Sequence, residues 1–209
     1  GFTVQLIPMR DNYHEFDAMI GLARSLSPVY RMGAPWLFLS ACGSNVRNQE
    51  ILRQRLDPVE VIRLDPPDTT DDDEEITTDE REHKPPAHPG TSGENSLFAA
   101  CIDGCRDFHI DPYGHMTFCP FIKDPALRYN LRNGSFPEAW DDFLPSLAHK
   151  VQGDSEYREN CDSCEKRGDC RWCPAYGYLE HGRYSAKVAY LCALAEEARS
   201  YRENWLLHH

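Results

Sequence analysis

Apolar positions along the first 64 residues switch from a continuous run to a helical repeat and back. Phe2-Thr3-Val4-Gln5-Leu6-Ile7-Pro8-Met9-Arg10 reads as a buried strand, and Asn12-Tyr13-His14-Glu15 is a capping-box pattern that opens a helix. That helix carries Phe16, Met19, Ile20, Ala23 and Leu26 on one apolar face. A second apolar run, Val29 to Leu39, predicts another strand. Strand, helix, strand is the order of a parallel sheet or barrel. Asp57-Pro58-Val59-Glu60 then opens a short helix, with Asp57 as N-cap, Pro58 in the first turn and Glu60 reaching back.

The pattern lapses after residue 64. Between Asp65 and Glu94 stand 11 acidic residues against Arg81 and Lys84, with five prolines and no aromatic side chain. Such a stretch buries too little surface to offset its ordering entropy, so residues 65–96 read as a linker or disordered insertion. Order resumes at Leu97. Phe108-His109-Ile110-Asp111 and Met116-Thr117-Phe118-Cys119 flank Pro112-Tyr113-Gly114-His115, which predicts a hairpin. Ser135-Phe136-Pro137-Glu138 starts a helix through Trp140, Phe143 and Leu147, and the last 22 residues or so form another, with Val188, Leu191, Cys192 and Ala195 on one face. No internal repeat is present.

Composition changes the picture in two places. The net charge of -12 is concentrated in the acidic segment, so the rest is nearly balanced and no basic patch calls for nucleic acid. No apolar run of about 18 residues spans a bilayer and no signal peptide opens the chain, so a soluble, cytoplasmic protein is expected. Nine cysteines in that setting point to metal rather than disulfides.

The densest signal is Cys161-x2-Cys164-x5-Cys170-x2-Cys173, spaced by Asp162, Glu165, Lys166, Arg167, Gly168 and Asp169. Polar spacers cannot build an apolar core, whereas zinc and iron–sulfur clusters both take four thiolates. Cys101, Cys105 and Cys119 lie upstream and Cys192 downstream, giving eight cysteines, two sets of four. Gly114 makes the turn that returns Cys119 toward Cys101. Cys42 stands alone. His83, His88 and His208-His209 read as solvent-exposed, His109 as a hairpin histidine, and Trp172 as a shield against water.

The order Cys101-x12-Gly114-x4-Cys119, the central cluster and a final Cys192 resembles the seven-cysteine SPASM motif of radical S-adenosylmethionine (SAM) enzymes that mature peptides and proteins. Phe108-His109-Ile110-Asp111-Pro112-Tyr113-Gly114, Asn130-Leu131-Arg132-Asn133-Gly134-Ser135 and Cys173-Pro174-Ala175-Tyr176 are similar to that family too. One departure is visible, two residues between Cys170 and Cys173 where the family usually has three. The resemblance implies two auxiliary [4Fe–4S] clusters with interleaved ligands: Cys101, Cys105, Cys119 and Cys173 for the first, Cys161, Cys164, Cys170 and Cys192 for the second. Some relatives leave the Cys105 position open for substrate. It further implies an α/β plus α+β fold: residues 1–64 as the terminal βα units of a partial (β/α) barrel, and residues 97–209 as a small Cys-rich iron–sulfur domain with a hairpin and helices. Arg10 and Asn12 would sit at a strand end, on the SAM or substrate side.

The radical-generating Cys-x3-Cys-x2-Cys triplet is not in these residues: Cys101-Ile102-Asp103-Gly104-Cys105 is followed by Phe108 at the third place. SAM and a third cluster are therefore expected only with a radical SAM core, in the same longer chain, the reading preferred here, or in a partner. The expected partner is a peptide or protein substrate. Two other readings stand beside this one, a non-catalytic iron–sulfur carrier or partner subunit, and a structural zinc module built on Cys161, Cys164, Cys170 and Cys173.

Overall fold

The computed structural model describes residues 2–67, 95–102 and 107–208. Most of the acidic segment, with His83 and His88, lies outside the described residues, as do Cys105 and His209. Near the N-terminus, β1 (Val4–Leu6) and β2 (Tyr30–Met32) pair in parallel, Val4 opposite Tyr30 and Leu6 opposite Met32. Between them runs α1 (Phe16–Leu26). Both strands are shorter than the apolar runs that contain them. Beyond Leu6, Pro8 offers no ladder donor, and β2 stops at Gly33 before a 3-10 turn at Ala34–Trp36. The Asn12–Glu15 pattern is not a helix cap. The Asn12 side chain instead accepts from Met9 N–H at 2.7 Å and donates to the Ile7 carbonyl at 3.3 Å, and a 3-10 turn at Tyr13–Glu15 leads into α1. Among the described residues these two strands form the whole parallel sheet, and there is no closed barrel.

Two helices follow. Ser44 caps α2 (Asn45–Gln54), its hydroxyl accepting from Arg47 N–H at 3.4 Å. Asp57 and Glu60 form the capping box of α3 (Pro58–Leu64), with Asp57 N–H donating to Glu60 at 3.2 Å. The hairpin comprises β3 (His109–Ile110) and β4 (His115–Thr117), antiparallel, and its third strand, β5 (Tyr129–Asn130), has no counterpart in the apolar pattern. Gly114 takes φ +81° at the turn, and Asp111 closes it by accepting from the N–H groups of Tyr113 and His115 at 2.9 and 3.0 Å. Ser135 and Glu138 cap each other reciprocally at 2.8 and 3.3 Å, and the segment that follows is first a π-helix, Glu138–Phe143. The chain closes with α4 (Pro174–His181) and α5 (Ala189–His208).

Two apolar clusters organise these elements. One gathers Phe98, Ile102, Met116, Phe118, Ile122, Leu144 and Leu147 beneath the three-stranded sheet. The other joins Ala34, Leu56 and Val61 from the N-terminal elements to Tyr176 of α4, to Val188 just before α5, and to Leu191 and Leu194 of α5. Arg55, only 6% exposed, crosses that second junction. It donates twice to the Leu37 carbonyl, at 3.2 and 3.1 Å, pairs with Glu180 at 2.7 Å, and lies 5.5 and 4.9 Å from the rings of Tyr176 and Tyr190. A buried guanidinium needs such company, because an unpaired one would be strongly disfavoured.

Candidate metal centre

The cysteine thiols fall into two groups by which of them lie within reach of one another's charge. Cys101, at the end of the short helix Ala99–Ile102, and Cys119, just past β4, face Cys173, the residue that precedes α4. Cys119 packs against the apolar cluster beneath the sheet and Cys173 against the other, so this group sits where the two cores meet. Cys161, Cys164, Cys170 and Cys192 form the second group. Cys161 is carried by a π turn, Arg158–Asp162, that follows a helical turn capped by Asp154. The loop 161–173 is fastened to α5 by ion pairs: Lys166 with Glu196, Arg199 with Glu165 at 3.6 Å, and Arg202 with Asp169 at 3.0 Å. Those contacts bring Cys192 of α5 to the other three thiols.

Electrostatics follow from the packing. Burial pushes the Cys173 thiol up to about 12, and the thiols of Cys101 and Cys119 add to the shift. Burial raises Cys101 to about 11, with Cys119 and Asp107 adding to it, although part of its surface reaches solvent. Burial also raises Cys161 to about 11, followed by the charges of Cys192 and Cys170. Against burial work backbone N–H groups that favour thiolate: Phe121 and Ile122 at Cys119, Trp172 at Cys170, Ala175 and Tyr176 at Cys173. Such N–H groups beside sulfur are the donors that tune iron–sulfur centres. No described cysteine is in a disulfide.

Among the described residues no group of three or more His, Cys, Asp or Glu is placed to hold a metal ion. The thiols that act on Cys173 are those of Cys101 and Cys119, which lie far from it in sequence. The donor chemistry, soft thiols with N–H groups beside them and in two groups, is of the kind that both zinc and iron–sulfur clusters take.

The remaining expected site residues have local roles. Arg10 pairs with Asp57 at 3.0 Å on the surface, and its N–H donates to the Gln54 carbonyl at 3.0 Å. Asn12 shapes the turn after β1, as described above. Trp172 is half-buried, donates from its indole N–H to the Ala186 carbonyl at 3.0 Å, and packs 4.9 Å from Tyr157. Cys42 is exposed, its thiol lowered chiefly by the Ser40 hydroxyl 2.8 Å away. Sequence reasoning passed over Arg167 and Tyr157, which border the second thiol group. Arg167 reads as one more polar spacer, and nothing in the pattern places Tyr157 against it. No helix of the described residues is long and apolar enough to cross a membrane.

Comparisons with family models, with curated proteins and with solved structures found no match.

Proposed function

We propose that this chain is the auxiliary-cluster and substrate-binding portion of a radical SAM peptide or protein maturase, with two [4Fe–4S] clusters on Cys101, Cys105, Cys119 and Cys173 and on Cys161, Cys164, Cys170 and Cys192. The observation that carries the reading is the grouping of thiols out of sequence order: Cys173 goes with Cys101 and Cys119, while Cys192 goes with Cys161 and Cys170. A zinc module on four consecutive cysteines has no reason to send Cys173 elsewhere. When bound, the clusters supply one-electron acceptor or relay chemistry, or an open iron at the Cys105 position for substrate. The chain's own residues supply the thiolates, the N–H groups beside them, and the apolar surroundings that exclude water.

The radical-generating cluster and SAM belong to residues outside these 209, in a longer chain or a partner. The parallel pair β1–β2 supports that division. Parallel sheets are buried on both faces, whereas Phe2, Leu22 and Leu26 beside this pair are 62%, 61% and 54% exposed, an apolar surface suited to a larger barrel. A cytoplasmic location, with reduced thiols, completes the reading.

The test is anaerobic iron, sulfide and zinc analysis of the purified chain with its visible spectrum. About eight iron and eight sulfide per chain are expected, falling by about half in Cys192→Ala. A colourless chain that binds zinc at Cys161, Cys164, Cys170 and Cys173 would sink the proposal.

A further inference from the structure

We infer that Arg167 is a positioning residue that places a fixed positive charge beside Cys161, Cys164, Cys170 and Cys192 and so raises the reduction potential of the group they hold. The inference rests on the cluster reading above and extends it to a residue that does not touch the metal.

Arg167 is tied to the thiol group at both ends of its backbone. Its N–H donates to the Cys164 carbonyl at 2.9 Å, and its carbonyl accepts from Cys170 N–H at 3.3 Å. The side chain is fixed as well: Nη2 donates to the Tyr157 hydroxyl at 3.2 Å, and the guanidinium carbon lies 5.7 Å from the Trp172 ring centre. Both of these partners are neutral. Its neighbours differ, because Lys166, Arg199 and Arg202 are each paired with a carboxylate, whereas Arg167 makes no ion pair among the described residues. Its charge is therefore not cancelled by a close anion. Its two side-chain partners flank the thiols, Tyr157 leading into the π turn Arg158–Asp162 that carries Cys161 and Trp172 standing between Cys170 and Cys173.

The chemistry is uptake of one electron by the bound group, with no bond broken and no proton moved. Reduction adds one negative charge, so a nearby cation stabilises the reduced form more than the oxidised one.

The experiment is an anaerobic redox titration of the reconstituted chain with dithionite, followed by electron paramagnetic resonance, the second cluster being the signal lost in Cys192→Ala. Iron per chain is measured for every variant. Arg167→Gln should change the reduced-to-oxidised ratio about tenfold at fixed potential, a fall of about 59 mV for one electron. Arg167→Lys should keep most of the wild-type midpoint, and Tyr157→Phe, which frees the guanidinium without removing its charge, should give a smaller fall. A purely structural residue would instead change iron content and leave the midpoint of the loaded fraction in place. An unmoved midpoint in loaded Arg167→Gln overturns the inference alone. If that variant cannot hold the second cluster, an unmoved midpoint in Tyr157→Phe does the same. A wild-type chain without iron overturns the cluster reading and this inference together.

Discussion

Arg55 shows how one side chain joins regions far apart in sequence. Its guanidinium is satisfied by the Leu37 carbonyl, Glu180 and two tyrosine rings, and the Tyr176 hydroxyl donates to the Pro35 carbonyl across the same junction. Removing one partner of a buried pair leaves the other charge stranded. Glu180→Gln and Arg55→Ala are therefore each expected to cost about 3–5 kcal/mol, read as a lower urea midpoint. Tyr176→Phe leaves a buried carbonyl without its donor and should cost about 1–3 kcal/mol. No sequence pattern announces these contacts. Arg55 lies just past the end of α2 and Glu180 within α4, and only tertiary packing brings them together. The cysteines stand out in the sequence for the opposite reason, since thiols set this closely among polar residues have no core to fill, and the proposed metal centre rests on that spacing. Arg167 falls between the cases, a residue whose role depends on neutral partners that no charge pattern reveals.

At the scale of elements, helices were easier to read than strands. The amphipathic repeat of α1 and the Asp57–Glu60 box of α3 are local signals. The strands run only two or three residues, too short to show alternation, and β5 exists because β4 offers it a partner. Two glycines mark where elements must approach closely. At Gly114 the backbone is left-handed and an added Cβ would meet the Arg132 side chain at 3.3 Å. Gly114→Ala should cost about 1–2 kcal/mol and, on the proposed cluster reading, lower the iron held with Cys101 and Cys119. At Gly177 a Cβ would stand 2.7 Å from the Arg183 carbonyl oxygen, with those of Ala186 and Tyr184 at 3.0 and 3.1 Å. Backbone cannot swing aside as a side-chain tip can. Gly177→Ala is thus expected to destabilise more than Gly114→Ala in parallel denaturant curves, loosening the loop that receives the Trp172 indole.

For the whole molecule, pH separates the metal-free from the loaded state. In the metal-free chain Cys101, Cys161 and Cys173 titrate at about 11, 11 and 12 rather than their usual 9. The folded chain thus holds more protons than the unfolded one between these values, so stability is full below about pH 9 and is lost as pH rises toward 12. Denaturation under reducing, anaerobic conditions should show this alkaline decline. With the proposed clusters bound, the same thiols would already be deprotonated by metal, and the decline should be much smaller. The interleaved thiol groups carry a further consequence, in the connectivity of the chain. The first group joins Cys101 to Cys173 and the second joins Cys161 to Cys192, so the two spans overlap like neighbouring links. If each group holds the proposed cluster, any single cleavage of the backbone between Cys101 and Cys192 leaves both fragments bridged by at least one cluster. On that proposal, nicked, loaded protein should migrate as one particle and part into two on addition of an iron chelator, iron then taking the part that disulfides play in secreted domains.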